Sequence, residues 1–327
     1  MGQPALPNLD DGLRRRLVAR YGREVESWLD DLPPVLATLA ERWQVELGSL
    51  IPRGHMSVVI QCRTADGSPA VLKVCPDRER LANEAAALRR WHTAHVPAVL
   101  AADVSVGALL IEAIIPGTMF LDSPTFPVPD LAKLLTALHT AGTPDPAYAP
   151  LKRRIAYLFD AWARHRQQQP ELIEVVSPEL FEQGRRLASG LAERPSPKVL
   201  LHGDLTAVNV LDGGEQRGLV AIDPAPCLGD PAFDAIDLVL GPGQPANLWH
   251  ADDVDAITAR AVALAPAIGV DASRLLDWCI AFAGMTASEL ASESNNSDVR
   301  IRTLLALATN GSACWPISRS WRQRRQG

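Results

Sequence analysis

Two short apolar runs, each ending on a carboxylate, constrain this chain more than any other feature. Leu200-Leu201 leads into His202-Gly203-Asp204, Asn209 follows five residues after that aspartate, and Val220-Ala221-Ile222 ends on Asp223. Apolar runs bounded by Gly and Asp read as strands, and Asp212-Gly213-Gly214 between them reads as the bend of a hairpin. Pairing across that bend sets Asn209 near Val220 and Asp223 near Thr206. At a rise of about 3.3 Å per residue, Asp204, Asn209 and Asp223 then gather at the open end of one hairpin.

The remainder of the 327 residues, 47% apolar and 21% charged, suffices for two lobes with separate cores. Helical spacing of Leu13, Leu17 and Tyr21 predicts helix within residues 9–42, with one segment ending at Pro33-Pro34 and another covering 35–43. Strand patterns follow just after Trp43, over 57–61 and over 70–74, with Asp66-Gly67 as the turn between the last two. A helix over 77–92 and strands over 98–101 and 108–111 complete a small sheet. Beyond Pro116-Gly117 the pattern is helical at 131–139, 151–166 and 179–192, strand-rich over 199–222, and helical again to about 309. The expected fold class is α+β, with a helical N-terminal extension (1–44), a small sheet lobe (45–113) and a larger, mostly helical lobe (114–327).

Several function classes fall away on composition. No apolar run approaches the roughly 20 residues that span a bilayer, which predicts no membrane partner. The opening MGQPALPNLDDG lacks a basic start and an apolar core, and Cys62, Cys75, Cys227, Cys279 and Cys314 are scattered. Both features predict a cytoplasmic chain with reduced thiols. His55, His92, His95, His139, His165 and His250 lack metal-ligand spacing and read as solvated or packed. The net charge is −6, but residues 223–298 alone carry −10, while Arg300, Arg302, Arg319, Arg322, Arg324 and Arg325 crowd the end. So acidic a region disfavours nucleic acid and draws a cationic small molecule instead.

The three-residue constellation suits phosphoryl transfer. That chemistry needs a carboxylate to position and deprotonate an attacking hydroxyl, and oxygen ligands to hold Mg2+ on the phosphates. Asp204 fits the first task, Asn209 and Asp223 the second. The Asp-x-x-x-x-Asn spacing matches the catalytic loop of protein kinases, with His-Gly-Asp for His-Arg-Asp and Asp223-Pro224 for Asp-Phe-Gly.

With these residues the chain resembles the aminoglycoside phosphotransferase superfamily, which shares the bilobal protein-kinase-like fold. Trp28 with Leu32-Pro33, Arg42-Trp43, Ala65-Asp66-Gly67-Ser68-Pro69-Ala70-Val71-Leu72-Lys73 and Asp223-Pro224 leading into Gly229-Asp230-Pro231 resemble its streptomycin 6-phosphotransferase and hydroxyurea phosphotransferase branch. The resemblance implies ATP as co-substrate, held by the small lobe, with Lys73 on the phosphates. Glu84 is the expected acid partner of Lys73, because Leu81, Glu84, Leu88 and Trp91 share one helical face. Gly54 and Ser57 lie where a phosphate-covering loop belongs, and the backbone of residues 112–114, with Glu112 and Ile114 at its ends, is the implied adenine hinge. Among Asp230, Asp234 and Asp237, the resemblance implies an acid that braces the catalytic loop.

The acceptor is expected to be a small, cationic, streptomycin-like aminoglycoside, met by carboxylates among Asp252, Asp253, Asp255, Glu289, Glu293 and Asp298. Hydroxyurea or another small metabolite alcohol is the alternative acceptor, and a non-catalytic nucleotide-binding protein is the remote one. A protein kinase does not fit, since no Ala-Pro-Glu element follows Asp223.

Overall fold

The computed structural model describes residues 9–52, 56–122, 126–241, 254–292 and 298–310. The chain divides into two compact units, Met1–Gly117 and Thr118–Gly327.

In the first unit, α1 (Asp11–Tyr21), α2 (Val25–Asp30) and α3 (Leu32–Trp43) precede strands β1 (Val45–Leu50), β2 (Val58–Thr64) and β3 (Pro69–Val74). Helix α4 (Arg78–Arg90) follows, then β4 (Val99–Asp103) and β5 (Ala108–Glu112). The five strands form one antiparallel sheet in the order β1-β2-β3-β5-β4. Period-two alternation sorts its faces. Val58, Ile60 and Cys62 of β2 and Ala70, Leu72 and Val74 of β3 share a core with Leu13, Leu17, Leu29, Leu32, Leu36 and Leu39 of the three helices. Lys73 therefore belongs to the opposite face of the central strand, paired with Val59 on one side and Leu109 on the other. Pro33 and Pro34 do not end a helix, as the sequence pattern suggested; both sit in the first turn of α3. First-turn N–H groups have no intrahelical partner in any helix, so proline loses nothing there.

The second unit runs through α5 (Val128–Ala141), α6 (Leu151–Gln168), α7 (Glu171–Val175) and α8 (Pro178–Glu193) into four short strands. These are β6 (Val199–Leu201), β7 (Val210–Asp212), β8 (Leu219–Ala221) and β9 (Cys227–Gly229), followed by α9 (Ile236–Leu240), α10 (Val254–Ala267), α11 (Ala272–Ser292) and α12 (Asp298–Asn310). Helix α11 is buried almost continuously from Leu275 to Ser288, as befits a central core helix. Its Trp278 and Phe282 stack edge-on or tilted against Phe233 and Phe159 at centroid distances of 5.5–5.7 Å. Gly184 of α8 allows the close approach of the two helices, since a Cβ there would lie 2.5 Å from the Ala281 carbonyl oxygen. Among the described residues, no helix is long and apolar enough to cross a membrane.

The strand pairing departs from the expected hairpin. Strands β7 and β8 do pair, but Val210 faces Ala221 and Leu211 faces Val220, two residues off the register read from the sequence. The reversal is centred later than Gly213-Gly214, because the Gly218 N–H bonds the Gly214 carbonyl at 2.8 Å and closes a wider turn. Strand β6 pairs with β9, not with the hairpin.

Candidate active site

The catalytic-loop candidates lie in the second unit, on the chain between β6 and β7. Leu200 and Leu201 are fully buried, which fixes the exit of β6. The next two backbone N–H groups, of His202 and Gly203, both donate to Asp234, at 2.9 Å to Oδ2 and 2.9 Å to Oδ1. His139 Nε2 donates to the same carboxylate at 3.0 Å. Burial would push the Asp234 carboxyl up, but the hydrogen bond and charge of His139 and the Gly203 N–H outweigh it and hold it below the usual range. Burial pushes His202 down, and its Nε2 donates to the Ile222 carbonyl at 2.9 Å as a neutral imidazole should. Gly203 has φ +76°, and a Cβ there would fall 2.1 Å from the Ala225 carbonyl oxygen, so only glycine fits the turn.

Asp204 follows that locked turn with a third of its side chain exposed. Arg154, in the first turns of α6, grips it from outside the loop. Arg154 Nε donates to the Gly203 carbonyl at 2.8 Å and Nη2 to Asp204 Oδ1 at 2.7 Å. Asn209 Nδ2 donates to the Asp204 backbone carbonyl at 2.8 Å. That bond commits the amide nitrogen and turns the amide oxygen, a neutral acceptor and potential metal ligand, the other way. The Ile222 N–H bonds the Asn209 carbonyl at 2.9 Å, continuing the β7–β8 ladder by one rung. Asp223 comes next, in a left-handed conformation with φ +59°. Left-handed backbone is uncommon outside glycine and tends to mark functional turns. Among the described residues, no three His, Cys, Asp or Glu side chains form a metal cluster. The Ile222–Asn209 backbone bond sets Asn209 beside the residue that precedes Asp223, and an amide and a carboxylate oxygen are ligand types that Mg2+ takes along with water and phosphate.

In the first unit, Lys73 Nζ and Glu84 Oε1 are 2.5 Å apart, with side chains only 4% and 2% exposed. Glu84 reaches inward because it shares the buried stripe of α4 with Leu81 and Leu88. Taking both charges out of water costs several kcal/mol per ion before their attraction offsets it, so such a pair adds little net stability of its own. Ser57 is buried immediately before β2, and Gly54 lies outside the described residues. Glu112 ends β5 with its N–H on the Ala98 carbonyl at 2.9 Å and its Oε2 accepting from the Ala98 N–H at 3.1 Å. The Ile114 side chain is buried just beyond it.

A family model described as aminoglycoside/hydroxyurea antibiotic resistance kinase matches residues 42–293. The chain belongs to this family. Streptomycin 6-kinase of Streptomyces griseus is 30% identical over 238 residues, covering 69% of this chain and 73% of that protein. Hydroxyurea phosphotransferase of Kitasatospora aureofaciens is 27% identical, covering 80% and 74%. A crystallised thermostable mutant of an aminoglycoside phosphotransferase, in a ternary complex with AMP-PNP and hygromycin B, aligns at TM-score 0.57. It is 15% identical and covers 86% of this chain and 99% of that one, a likeness of fold. The α+β, protein-kinase-like fold and the branch read from the sequence are thereby borne out.

Within this kinase family frame, several residues emerge that the sequence pattern passed over. Arg154 belongs to no motif, although Leu151, Ile155 and Phe159 are the buried stripe of α6 and Arg154 borders it. A cation beside an apolar stripe was the available signal. His139 reads as packed, and the structure adds its partner, Asp234. Of the three later acids, Asp234 holds the loop, while Asp230 ties α11 through Trp278 Nε1 at 2.8 Å and Arg274 Nε at 2.5 Å. Asp237 sits partly buried one turn beyond Asp234, and burial together with the charge of Asp204 pushes its carboxyl up to about 7 despite Arg154. Of the acceptor-facing candidates, Asp255 and Glu289 are exposed on α10 and α11. Asp252, Asp253, Glu293 and the Asp298 side chain lie outside the described residues.

Proposed function

We propose that this chain transfers the γ-phosphoryl group of ATP to a hydroxyl of a small antibiotic, by preference a streptomycin-like aminoglycoside. The observation that carries the reading is the tethering of Asp204. Its turn is fixed by Asp234 and its carboxylate by Arg154, yet a third of the side chain still meets solvent. A carboxylate held at one oxygen, on a side chain that stays partly exposed, suits a group that must orient an attacking hydroxyl and take its proton.

In this reading the acceptor oxygen bonds to the γ-phosphorus as the bond from that phosphorus to the β,γ-bridging oxygen breaks. The proton passes to Asp204, and ADP leaves. Asn209 and Asp223 would hold Mg2+, which supplies neutralisation of the phosphate charge. Lys73, oriented by Glu84, contacts the phosphates, and the backbone around Ser57 adds N–H donors. The backbone between Glu112 and Ile114 meets the adenine. The acidic balance of residues 223–298 favours a cationic acceptor.

The test is ADP release by purified protein with ATP, Mg2+ and streptomycin, with mass spectrometry of the product. We expect an antibiotic carrying one added phosphoryl group, and an Asp204→Asn variant that still binds ATP but does not turn over. Near-normal turnover by that variant would overturn the role of Asp204. A second reading, hydroxyurea as acceptor, is favoured by the similarity to the Kitasatospora aureofaciens protein over 80% of this chain. Parallel assays with the two acceptors decide between them.

A further inference from the structure

The matched family segment begins at residue 42, so α1 lies outside it. Yet the end of α1 closes on a single residue at the entrance to β2. Tyr21 Oη donates to the Met56 carbonyl at 2.9 Å, and Cys75 Sγ donates to the same oxygen at 3.2 Å. Arg20 Nε donates to Met56 Sδ at 2.8 Å. Cys75 is itself fixed, with its N–H on the Gly107 carbonyl at 2.9 Å. Burial raises both the tyrosine hydroxyl and the thiol above their ordinary ranges, so both remain neutral donors near neutral pH.

The Met56 carbonyl and the Ser57 N–H belong to one planar peptide unit. Two donors on the carbonyl therefore fix the direction of the Ser57 N–H. Val58 pairs with Val74 and Val59 with Lys73, so the continuing register sets the Ser57 side chain on the sheet face that carries Lys73. Ser57 is itself buried, which adds to its fixity.

We propose that α1 is a strap for the nucleotide site, with Tyr21 and Cys75 as positioning residues that hold the Met56–Ser57 peptide so that the Ser57 hydroxyl is pre-set for the ATP phosphates. The inference rests on the reading above that Ser57 and Lys73 face the nucleotide. A donor held in place before binding costs less to order when the phosphate arrives. Arg20 adds a third hold on Met56, through a side chain that a Tyr21 substitution leaves intact.

The experiment compares steady-state kinetics of the full chain with Tyr21→Phe, Cys75→Ala and the double variant, using ATP and the best acceptor found. Loss of one such hydrogen bond corresponds to about a five- to tenfold effect. The expected result is an ATP KM raised by about that factor in Tyr21→Phe and further in the double variant, with the acceptor KM and kcat within about twofold. Leu36→Ala, in the same core but on α3, controls for stability: it should lower Tm without moving the ATP KM. Lys73→Met tests the underlying reading. If Lys73→Met leaves ATP binding intact, the nucleotide reading itself fails. If Lys73→Met weakens ATP while the double variant does not, or if Leu36→Ala reproduces the KM change, the strap is overturned. Tyr21→Phe removes one oxygen and keeps the ring, so the strap is judged on a folded protein.

Discussion

Arg154 makes a two-point contact with the Asp204 segment, bonding the Gly203 carbonyl at 2.8 Å and the Asp204 carboxylate at 2.7 Å from adjacent atoms of one guanidinium. The planar fork couples the carboxylate to the backbone of its own turn, so the side chain cannot rotate without breaking a bond. Lysine cannot reproduce this, being a point donor on a flexible stem. Arg154→Met should therefore lower kcat by about a hundredfold, the scale of a small misplacement of a reacting group. The KM values should change far less, and Arg154→Lys should fall between. Steady-state kinetics check this, with circular dichroism to show that the fold is kept.

Gly203 joins the bracing acid to the catalytic candidate. Its φ of +76° disfavours any side chain, and the Ala225 carbonyl leaves no room for one. Gly203→Ala must therefore shift its own turn or the segment around Ala225 that joins β8 to β9. A cost of about 1–3 kcal/mol for the strained backbone is expected, with a larger proportional loss of turnover because Asp204 moves with the turn. Thermal melts and single-turnover assays on the same preparation separate the two effects.

Most of the fold was legible because it rests on local periodicity. Val58, Ile60, Leu72 and Val74 alternate as a half-buried sheet must, and Glu84 could be paired with Lys73 because it repeats with Leu81 and Leu88 on one helical face. What was missed is what locality does not encode. Arg154 meets Asp204 across 50 residues of sequence, a pairing made by tertiary packing alone. The β7–β8 register went astray by two residues for a different reason. Gly213, Gly214 and Gly218 can all turn the chain, and the positive φ values that complete the reversal fall on Gly214 and Gly218. Strand β9, only Cys227–Gly229, is too short to carry a pattern and is defined by its pairing with β6.

Asp237 should leave a pH signature on stability. Its carboxyl is pushed up to about 7 by burial and by Asp204, against roughly 3.9 in an unfolded chain. The folded state therefore binds the extra proton more tightly between those two values, and stability falls as pH rises through that window. Below it the group contributes no penalty, and above about 7 the penalty is complete. Asp237→Asn should raise Tm relative to the natural protein at about pH 8, with the advantage shrinking toward about pH 5. A constant difference across that range would show that Asp237 titrates normally.

Lys73 and Glu84 allow the structural and chemical demands on one ion pair to be separated. With side chains 4% and 2% exposed, removing either charge alone takes from the other its 2.5 Å counter-ion in a dry environment. Breaking such a pair costs about 3–5 kcal/mol, whereas replacing both partners by neutral groups is often tolerated. Glu84→Gln alone should thus lower Tm sharply, and so should Lys73→Met. The double variant should recover much of that loss, because no unpaired charge remains. Turnover should not recover with it: a methionine at position 73 offers the phosphates no cation, whatever stands at 84. If the double variant regained activity along with stability, the pair would be serving the fold alone and the phosphate contact assigned to Lys73 would have to move elsewhere. A double-mutant cycle read in both Tm and kcat/KM gives the two coupling energies independently.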